Sequence, residues 1–266
     1  MFDPANCAAV IPCFNESATI ARLVAEVRTG APRVVVVDDG STDNTAALAT
    51  GAGAVVLEHP RNSGKGAALH TGFAYALQNG FEWAATLDGD GQHAPEDLPA
   101  LFQCAQATQA PLIIGNRMHA AQKMCWLRRR VNEWMSRQLS LRAGRRLPDT
   151  QSGFRLIHLP TWAALSIQAE RFEVESEMLM AFLLAGERVE FVPVQVIQSG
   201  RKSHIRPVKD AVRWLAWWWK RGRRNPRHAG GDVSRVTRFP LSTSRGKHST
   251  AEARPAINIQ LPTSKE

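Results

Sequence analysis

Thr86-Leu87-Asp88-Gly89-Asp90-Gly91-Gln92-His93 is the stretch from which the rest of the chain can be read. The residues just before it, Phe81-Glu82-Trp83-Ala84-Ala85-Thr86-Leu87, predict a buried strand, so Asp88 and Asp90 stand at its carboxyl end. Side chains at i and i+2 of extended backbone point the same way. Two carboxylates aimed at one point repel unless a cation lies between them, and hard oxygen donors suit Mg²⁺ or Mn²⁺. Gly89 and Gly91 have no Cβ and leave the backbone open to a bulky ligand. An ion held in this way commonly keeps positions for substrate phosphates. Alone, an Asp-X-Asp is more often a solvated acidic turn. The surrounding sequence decides.

Outward from this stretch, the first half alternates. Strands are predicted at 7–12, 33–37, 54–57, 83–87 and 112–114, with helices at 17–28, 42–49, 64–78 and about 95–107. In the helix at 17–28, Ala18, Ile20, Ala21, Leu23, Val24 and Val27 form an apolar stripe. The run at 33–37 is continuously apolar after Arg33, as in a strand covered on both faces. Such alternation argues a parallel, doubly wound sheet, whose ligands bind at the carboxyl ends of the strands. Asn15-Glu16, Asp38-Asp39 and Asp88-Gly89-Asp90 all fall at such ends. The second half is less regular, with helices expected at 126–143 and 175–184 and strands at 153–157 and 188–197. After about Gly222 the composition turns to Arg, Ser, Thr, Pro and Gly without periodicity, which reads as a disordered tail.

The 266 residues suffice for one large α/β domain or two small ones, and 44% hydrophobic residues give material for a sizeable core. The net charge of +9 is unevenly placed. Residues 1–100 carry 5 Lys/Arg against 12 Asp/Glu, whereas residues 201–266 carry 16 against 4. An acidic first third suggests a cation site early, and a basic end suggests an anionic surface contacted late. Cys7, Cys13, Cys104 and Cys125 follow no disulfide or metal-ligand spacing, so reduced thiols in a cytosolic protein are expected. No signal peptide is apparent, and no stretch approaches the roughly 18 apolar residues that span a bilayer.

The motifs Ile11-Pro12-Cys13-Phe14-Asn15-Glu16, Val37-Asp38-Asp39-Gly40-Ser41-Thr42-Asp43, Asn62-Ser63-Gly64-Lys65-Gly66 and Leu87-Asp88-Gly89-Asp90-Gly91-Gln92 stand in this order. With them the chain resembles the family 2 glycosyltransferases of the GT-A fold, in particular the polyprenol-phosphate (dolichol-phosphate) sugar transferase branch. The resemblance covers residues 8–215, about four fifths of the chain. It implies an α/β GT-A domain, a Rossmann-like and mostly parallel sheet flanked by helices, over residues 1–204. A nucleotide-sugar half would run to about residue 117 and an acceptor half over about 118–204. A Trp/Arg-rich amphipathic helix at 205–224 and a basic tail at 225–266 would follow.

Residue by residue, the resemblance implies that Pro12, Phe14 and Glu16 line the base and ribose pocket, with Val37 and Asp39 beside them. Asp88, Asp90 and Gln92, with Gly89 between, match the positions that hold the metal and diphosphate. Arg117 matches a basic residue near the sugar and phosphates, and the block Asp149-Thr150-Gln151-Ser152-Gly153-Phe154-Arg155 closes the reaction centre. Arg201 and Ser203 match a late loop over the diphosphate, although His204 stands where the branch often carries Lys. The implied activity is metal-dependent, inverting transfer from a UDP- or GDP-linked sugar to a lipid-linked acceptor, foremost polyprenyl phosphate. Its place would be the inner face of the cytoplasmic membrane, in bacterial cell-envelope work. Transfer to a hydroxyl of another lipid or glycan, nucleotidyl transfer and a non-catalytic membrane adaptor are the alternatives.

Several residues keep two readings. Asp39 is a turn residue or a ribose and base contact. Lys65 opens a helix whose N-terminus favours an anion, or is a structural entry to it. Arg128, Arg129 and Arg130 form a solvated face or a dock for a lipid phosphate. Asp149 is a loop acid or a general base, and a base is needed only if the nucleophile is a hydroxyl. Glu175 is the other candidate carboxylate. In the segment 208–224, Val208, Ala211, Val212, Leu215, Trp218 and Trp219 share a helical face, flanked by Trp214 and Trp217. Lys209, Arg213, Lys220, Arg221, Arg223 and Arg224 add charge, so an interfacial helix on anionic lipid is expected. Packing back on the core would explain the apolar stripe but not four Trp within six residues. Nucleic acid is not an expected partner, because no base-reading module precedes.

Overall fold

The computed structural model describes residues 2–31, 33–197 and 213–219. Arg201, Ser203 and His204, most of 205–224 and the tail at 225–266 lie outside the described residues. In the first half β1 (Cys7–Cys13), β2 (Arg33–Asp38), β3 (Val55–Glu58) and β4 (Trp83–Thr86) alternate with α1 (Ile20–Val27), α2 (Thr45–Gly51) and α3 (Lys65–Gln78). Then come α4 (Leu98–Thr108), β5 (Leu112–Asn116), α5 (Trp126–Ala143), β6 (Arg155–His158), α6 (Leu159–Ala164), α7 (Val174–Leu184) and β7 (Val189–Pro193).

The strands form a seven-stranded sheet in the order β3-β2-β1-β4-β6-β5-β7. All neighbours run parallel except β6, which is antiparallel to both β4 and β5. The sequence reading places a strand at 153–157 without a direction. The exception arises because the segment after α5 returns along the carboxyl edge of the sheet, and a strand entering from that edge must run backwards.

Alternating side chains send apolar groups into two layers. Ala8, Val10, Val35, Val37, Ala84 and Ile157 meet α3, α5, α6 and α7 on one face. Cys7, Ala9, Ile11, Val34, Val36 and Leu156 meet α1 and α4 on the other. The α1 stripe is buried through Ile20, Leu23, Val24 and Val27, the i, i+3, i+4, i+7 spacing of a helix lying on a sheet. Gly72 lets α3 lie close: a Cβ there would stand 2.4 Å from Val10 Cγ1.

The helical residues 213–219 pack back on this body. Trp214 is buried, donates from Nε1 to Ser176 Oγ on α7 at 2.8 Å and meets the Trp134 ring of α5 at 5.4 Å. Trp218 stacks on Trp214 at 5.2 Å, and the Arg142 guanidinium lies 5.5 Å from the centre of the Trp218 ring. The face expected at a membrane is thereby rotated: Trp214, Trp217 and Trp218 turn inward, while Leu215 and Trp219 stay exposed. Indole area is large, and the α5–α7 seam offers it an apolar bed. No helix among the described residues is long and apolar enough to cross a membrane.

Candidate active site

Register brings the ends of three strands to one edge. Cys13 of β1 stands beside Asp38 of β2, and Val10 of β1 beside Thr86 of β4. The loops that follow β1 and β2 are laced together. The backbone N–H of Asn15 donates to Ser41 Oγ at 2.8 Å and that of Glu16 to Thr45 Oγ1 at 2.8 Å, while Asn15 Oδ1 accepts from the Thr42 N–H at 2.9 Å. Asn15 adopts a left-handed backbone, φ 57°, which Asn tolerates better than most residues. The 149–154 segment reaches the same edge from the opposite direction, ahead of β6.

Asp39 occupies the seat that the sequence offers to a ligand anion. Its Oδ1 accepts from the Ser63 N–H at 2.9 Å and its Oδ2 from the Gly64 N–H at 2.7 Å, with His59 Nδ1 2.7 Å from Oδ1. The N-terminal approach to α3 is thus satisfied by the protein's own carboxylate. Lys65 turns elsewhere. Its Nζ lies 2.5 Å from both Asp88 Oδ1 and Glu175 Oε1, on β4's loop and α7 respectively. Burial alone would lower the Lys65 ammonium, but these two carboxylates hold it above its ordinary range. Burial likewise opposes ionisation of Asp88, yet Lys65 and then His93 keep its carboxyl well below the usual range. His93 Nε2 is 3.2 Å from Asp88 Oδ2.

Arg117, just past β5, is clamped by the fully buried Asp149. Nε donates to Oδ2 at 2.8 Å, Nη2 to Oδ1 at 3.0 Å and the backbone N–H to Oδ2 at 3.1 Å. Asn132 of α5 adds a donor to Oδ1 at 3.0 Å. Burial would raise the Asp149 carboxyl, but Arg117 overrides it and brings it down to about 2. Of the two readings of Asp149, this geometry favours the loop acid: with both oxygens committed to a guanidinium it is a poor proton acceptor, and it holds Arg117 in place. Arg128 is the member of its run that turns inward, donating from Nη1 to Gln92 Oε1 at 2.9 Å, while Arg129 and Arg130 are exposed.

Lys65, Asp88, Arg117 and Arg128 line a cleft together with Met124, Val131, Met135, Phe172 and Trp214. Asn132, Gln151, Glu173 and Glu175 complete the lining, so charged, polar and apolar groups share it. Of the remaining expected residues, Pro12 and Phe14 are half-buried at the end of β1, and Glu16 is buried beside Thr19. Gly89 lies so close to Cys13 that a Cβ would stand 2.7 Å from its sulfur. Val37 is a correction. Its side chain is fully buried in the layer under α3 and cannot line a nucleotide pocket.

Asp88, Asp90 and Gln92 are hard oxygen donors spaced along one loop, with Asp90 half-buried and accepting from the Gln92 N–H at 3.1 Å. That donor chemistry fits Mg²⁺ or Mn²⁺, with further oxygens drawn from a diphosphate. Among the described residues no group of three or more His, Cys, Asp or Glu is gathered for a metal ion instead.

Sequence reasoning gives no role to His93 or Asn132, and names Arg155 only as the last residue of the 149–155 block. The first directly follows Gln92, so its position was a usable signal. The part Arg155 plays within that block is visible only in the structure. Buried in β6, it donates to the carbonyls of Ser152 at 2.8 Å, Glu175 at 2.7 Å and Thr150 at 3.0 Å, and burial brings its guanidinium down to about 10.

The chain matches the model of the family described as "Glycosyl transferase family 2" over residues 8–159. It is 29% identical to an undecaprenyl-phosphate mannosyltransferase of Micrococcus luteus over 202 residues, 71% of this chain and 82% of that protein. It is 28% identical to a UDP-N-acetylglucosamine–dolichyl-phosphate N-acetylglucosaminyltransferase of Methanococcus voltae over 213 residues, 71% of this chain and 85% of that one. Among solved structures it resembles glucosyl-3-phosphoglycerate synthase from Mycobacterium tuberculosis in complex with Mn²⁺, uridine diphosphate and phosphoglyceric acid. The TM-score is 0.62 at 20% identity, covering 79% of this chain and 76% of that chain. At that identity the likeness establishes the fold alone.

Proposed function

The chain belongs to glycosyl transferase family 2 and is a glycosyltransferase, and on that premise we propose that it moves a sugar, with inversion, from an NDP-sugar to polyprenyl phosphate. The reaction would be metal-dependent and would take place at the inner face of the cytoplasmic membrane. The observation that carries the reading is a cleft whose lining brings the charged groups Lys65, Asp88, Arg117, Arg128 and Glu175 together with the apolar Met124, Val131, Met135, Phe172 and Trp214. A diphosphate and a phosphate-bearing isoprenoid need both kinds of group within one cleft. The names of two relatives, which specify undecaprenyl phosphate and dolichyl phosphate, support the same acceptor class.

Asp88, Asp90 and Gln92 would hold the ion. Bound there, Mg²⁺ or Mn²⁺ supplies Lewis-acid neutralisation of the departing diphosphate. Pro12, Phe14, Glu16 and Asp39 bound the side on which the nucleoside would sit. Arg117, fixed by Asp149, adds positive charge that needs no reorganisation as negative charge develops. Arg201, outside the described residues, would contribute in the same sense. A phosphate oxygen is already ionised at neutral pH, so the nucleophile needs no base. This agrees with an Asp149 that is fully engaged.

The test uses the purified full chain, polyprenyl phosphate, Mn²⁺ and a panel of labelled UDP- and GDP-sugars. Expected products by mass spectrometry are a nucleoside diphosphate and a glycosylated lipid phosphate. Chelation should stop the reaction and Mg²⁺ or Mn²⁺ restore it. Asp90→Asn should abolish nucleoside diphosphate release while the protein stays folded; an active, metal-independent variant would refute the assignment. Release of pyrophosphate would point to nucleotidyl transfer instead.

A further inference from the structure

α5 presents two opposed faces. Inward, Asn132, Met135, Ser136 and Leu139 are buried at the i, i+3, i+4, i+7 positions. At about 100° per residue, Trp126, Leu127, Arg130, Trp134, Arg137 and Leu141 all project within about 100° of arc on the opposite side. These six are exposed, with Trp126 72%, Leu141 70% and Trp134 42% accessible. From Trp126 to Leu141 the stripe runs about 23 Å along the helix. Such a length of exposed indole and leucine is not a solvated face.

We propose that the outward face of α5 is the surface on which this protein rests on an anionic phospholipid bilayer. Charge complementarity selects that occupant. Arg130 and Arg137 stand between the apolar groups of the stripe without an ion pair among the described residues, whereas Arg129 is tied to Glu133 at 2.7 Å. Indoles and leucines at headgroup depth, with guanidinium groups interleaved, are what an anionic lipid surface takes up. The neighbouring segment extends the patch. Trp134 touches Trp214, and Leu215 and Trp219, next along that segment, are 37% and 61% accessible.

The face is also placed for use. The same helix lines the cleft from within through Arg128, Val131, Asn132 and Met135, and Met124 lies just ahead of it. One helix would thus touch the bilayer on its outward side and the cleft on its inward side. For this purpose, though not for its geometry, the inference rests on the lipid-acceptor reading.

Flotation of the full chain with vesicles of phosphatidylcholine, alone or with about one third phosphatidylglycerol, tests it. The wild type is expected to float with the anionic vesicles. A Trp126→Ser/Trp134→Ser/Leu141→Ser variant and an Arg130→Glu/Arg137→Glu variant should each lower partition about tenfold. All five positions are exposed, and unchanged thermal stabilisation by nucleoside diphosphate and Mn²⁺ would show that fold and donor site survive. Undiminished flotation of either variant, or no binding by the wild type, would overturn the proposal. So would a wild-type dimer that the triple variant dissociates with vesicle binding unaltered, which would assign the face to a second copy. The two readings separate with a short-chain polyprenyl phosphate in detergent, where wild type and variants should transfer alike. Docking without transfer there sinks only the acceptor, and transfer without docking sinks only the surface.

Discussion

Asp149 and Arg117 form a buried pair in which each group is costly without the other. Asp149→Asn leaves the Arg117 guanidinium buried without its counter-charge, and about 3–5 kcal/mol of stability should be lost, read by denaturant unfolding. The pH dependence has a definite sign. The carboxyl is held at about 2 in the folded chain, below the ordinary value of about 3.9 for an unfolded Asp. Its contribution is therefore present above pH about 4 and disappears as pH falls through about 2. The stability gap between wild type and Asp149→Asn should narrow across that window, and a constant gap would mean another group is responsible. Gly153 tests the adjoining pair. A Cβ there would stand 2.6 Å from Asp88 Oδ1 and 2.8 Å from Lys65 Nζ. Gly153→Ala should lower kcat/KM about tenfold, roughly 1.4 kcal/mol of transition-state stabilisation, with little change in Tm. Asp88 could be read from its strand-end position, because i, i+2 geometry is local. The commitment of Asp149 to Arg117 could not, since 32 residues separate the partners.

At the scale of elements, the first half was legible because each strand and helix there buries a face whose period shows in the sequence. The helix expected at 64–78 is α3 at Lys65–Gln78, and the strand expected at 33–37 is β2 at Arg33–Asp38. Gly72→Ala would push α3 off Val10 and Val37, at a cost of about 1–3 kcal/mol measured by unfolding. The later elements resist such reading because tertiary partners decide them. β6 has only four residues and takes its direction from the edge at which it enters. The inward turn of Trp214 depends on Ser176 and Trp134, both far away in the chain. Trp214→Ala should cost about 3–5 kcal/mol, seen as a lower unfolding midpoint. A loss below about 1 kcal/mol would show that the segment is only loosely attached.

For the molecule as a whole, the first half supplies β1 to β4 and the second supplies β6 and β7, with β5 ending at Asn116. The sheet does not respect that division. β6 is threaded between β4 and β5, and Thr86 Oγ1 donates to the Gly153 carbonyl at 2.6 Å across the join. A fragment ending at residue 117 would hold β5 with neither hydrogen-bonded neighbour and leave β4 with a bare edge. Expressed alone, it should aggregate or stay unfolded, whereas a soluble fragment with a cooperative melt would contradict this. The interleaving also bears on descent. A recombination event that exchanged only the portion after β5 would have to replace a central strand of the scaffold that the first half builds. New acceptor specificity in such a molecule is therefore open to change by point substitution and loop remodelling, while the wholesale shuffling that serves beads-on-a-string proteins is closed to it.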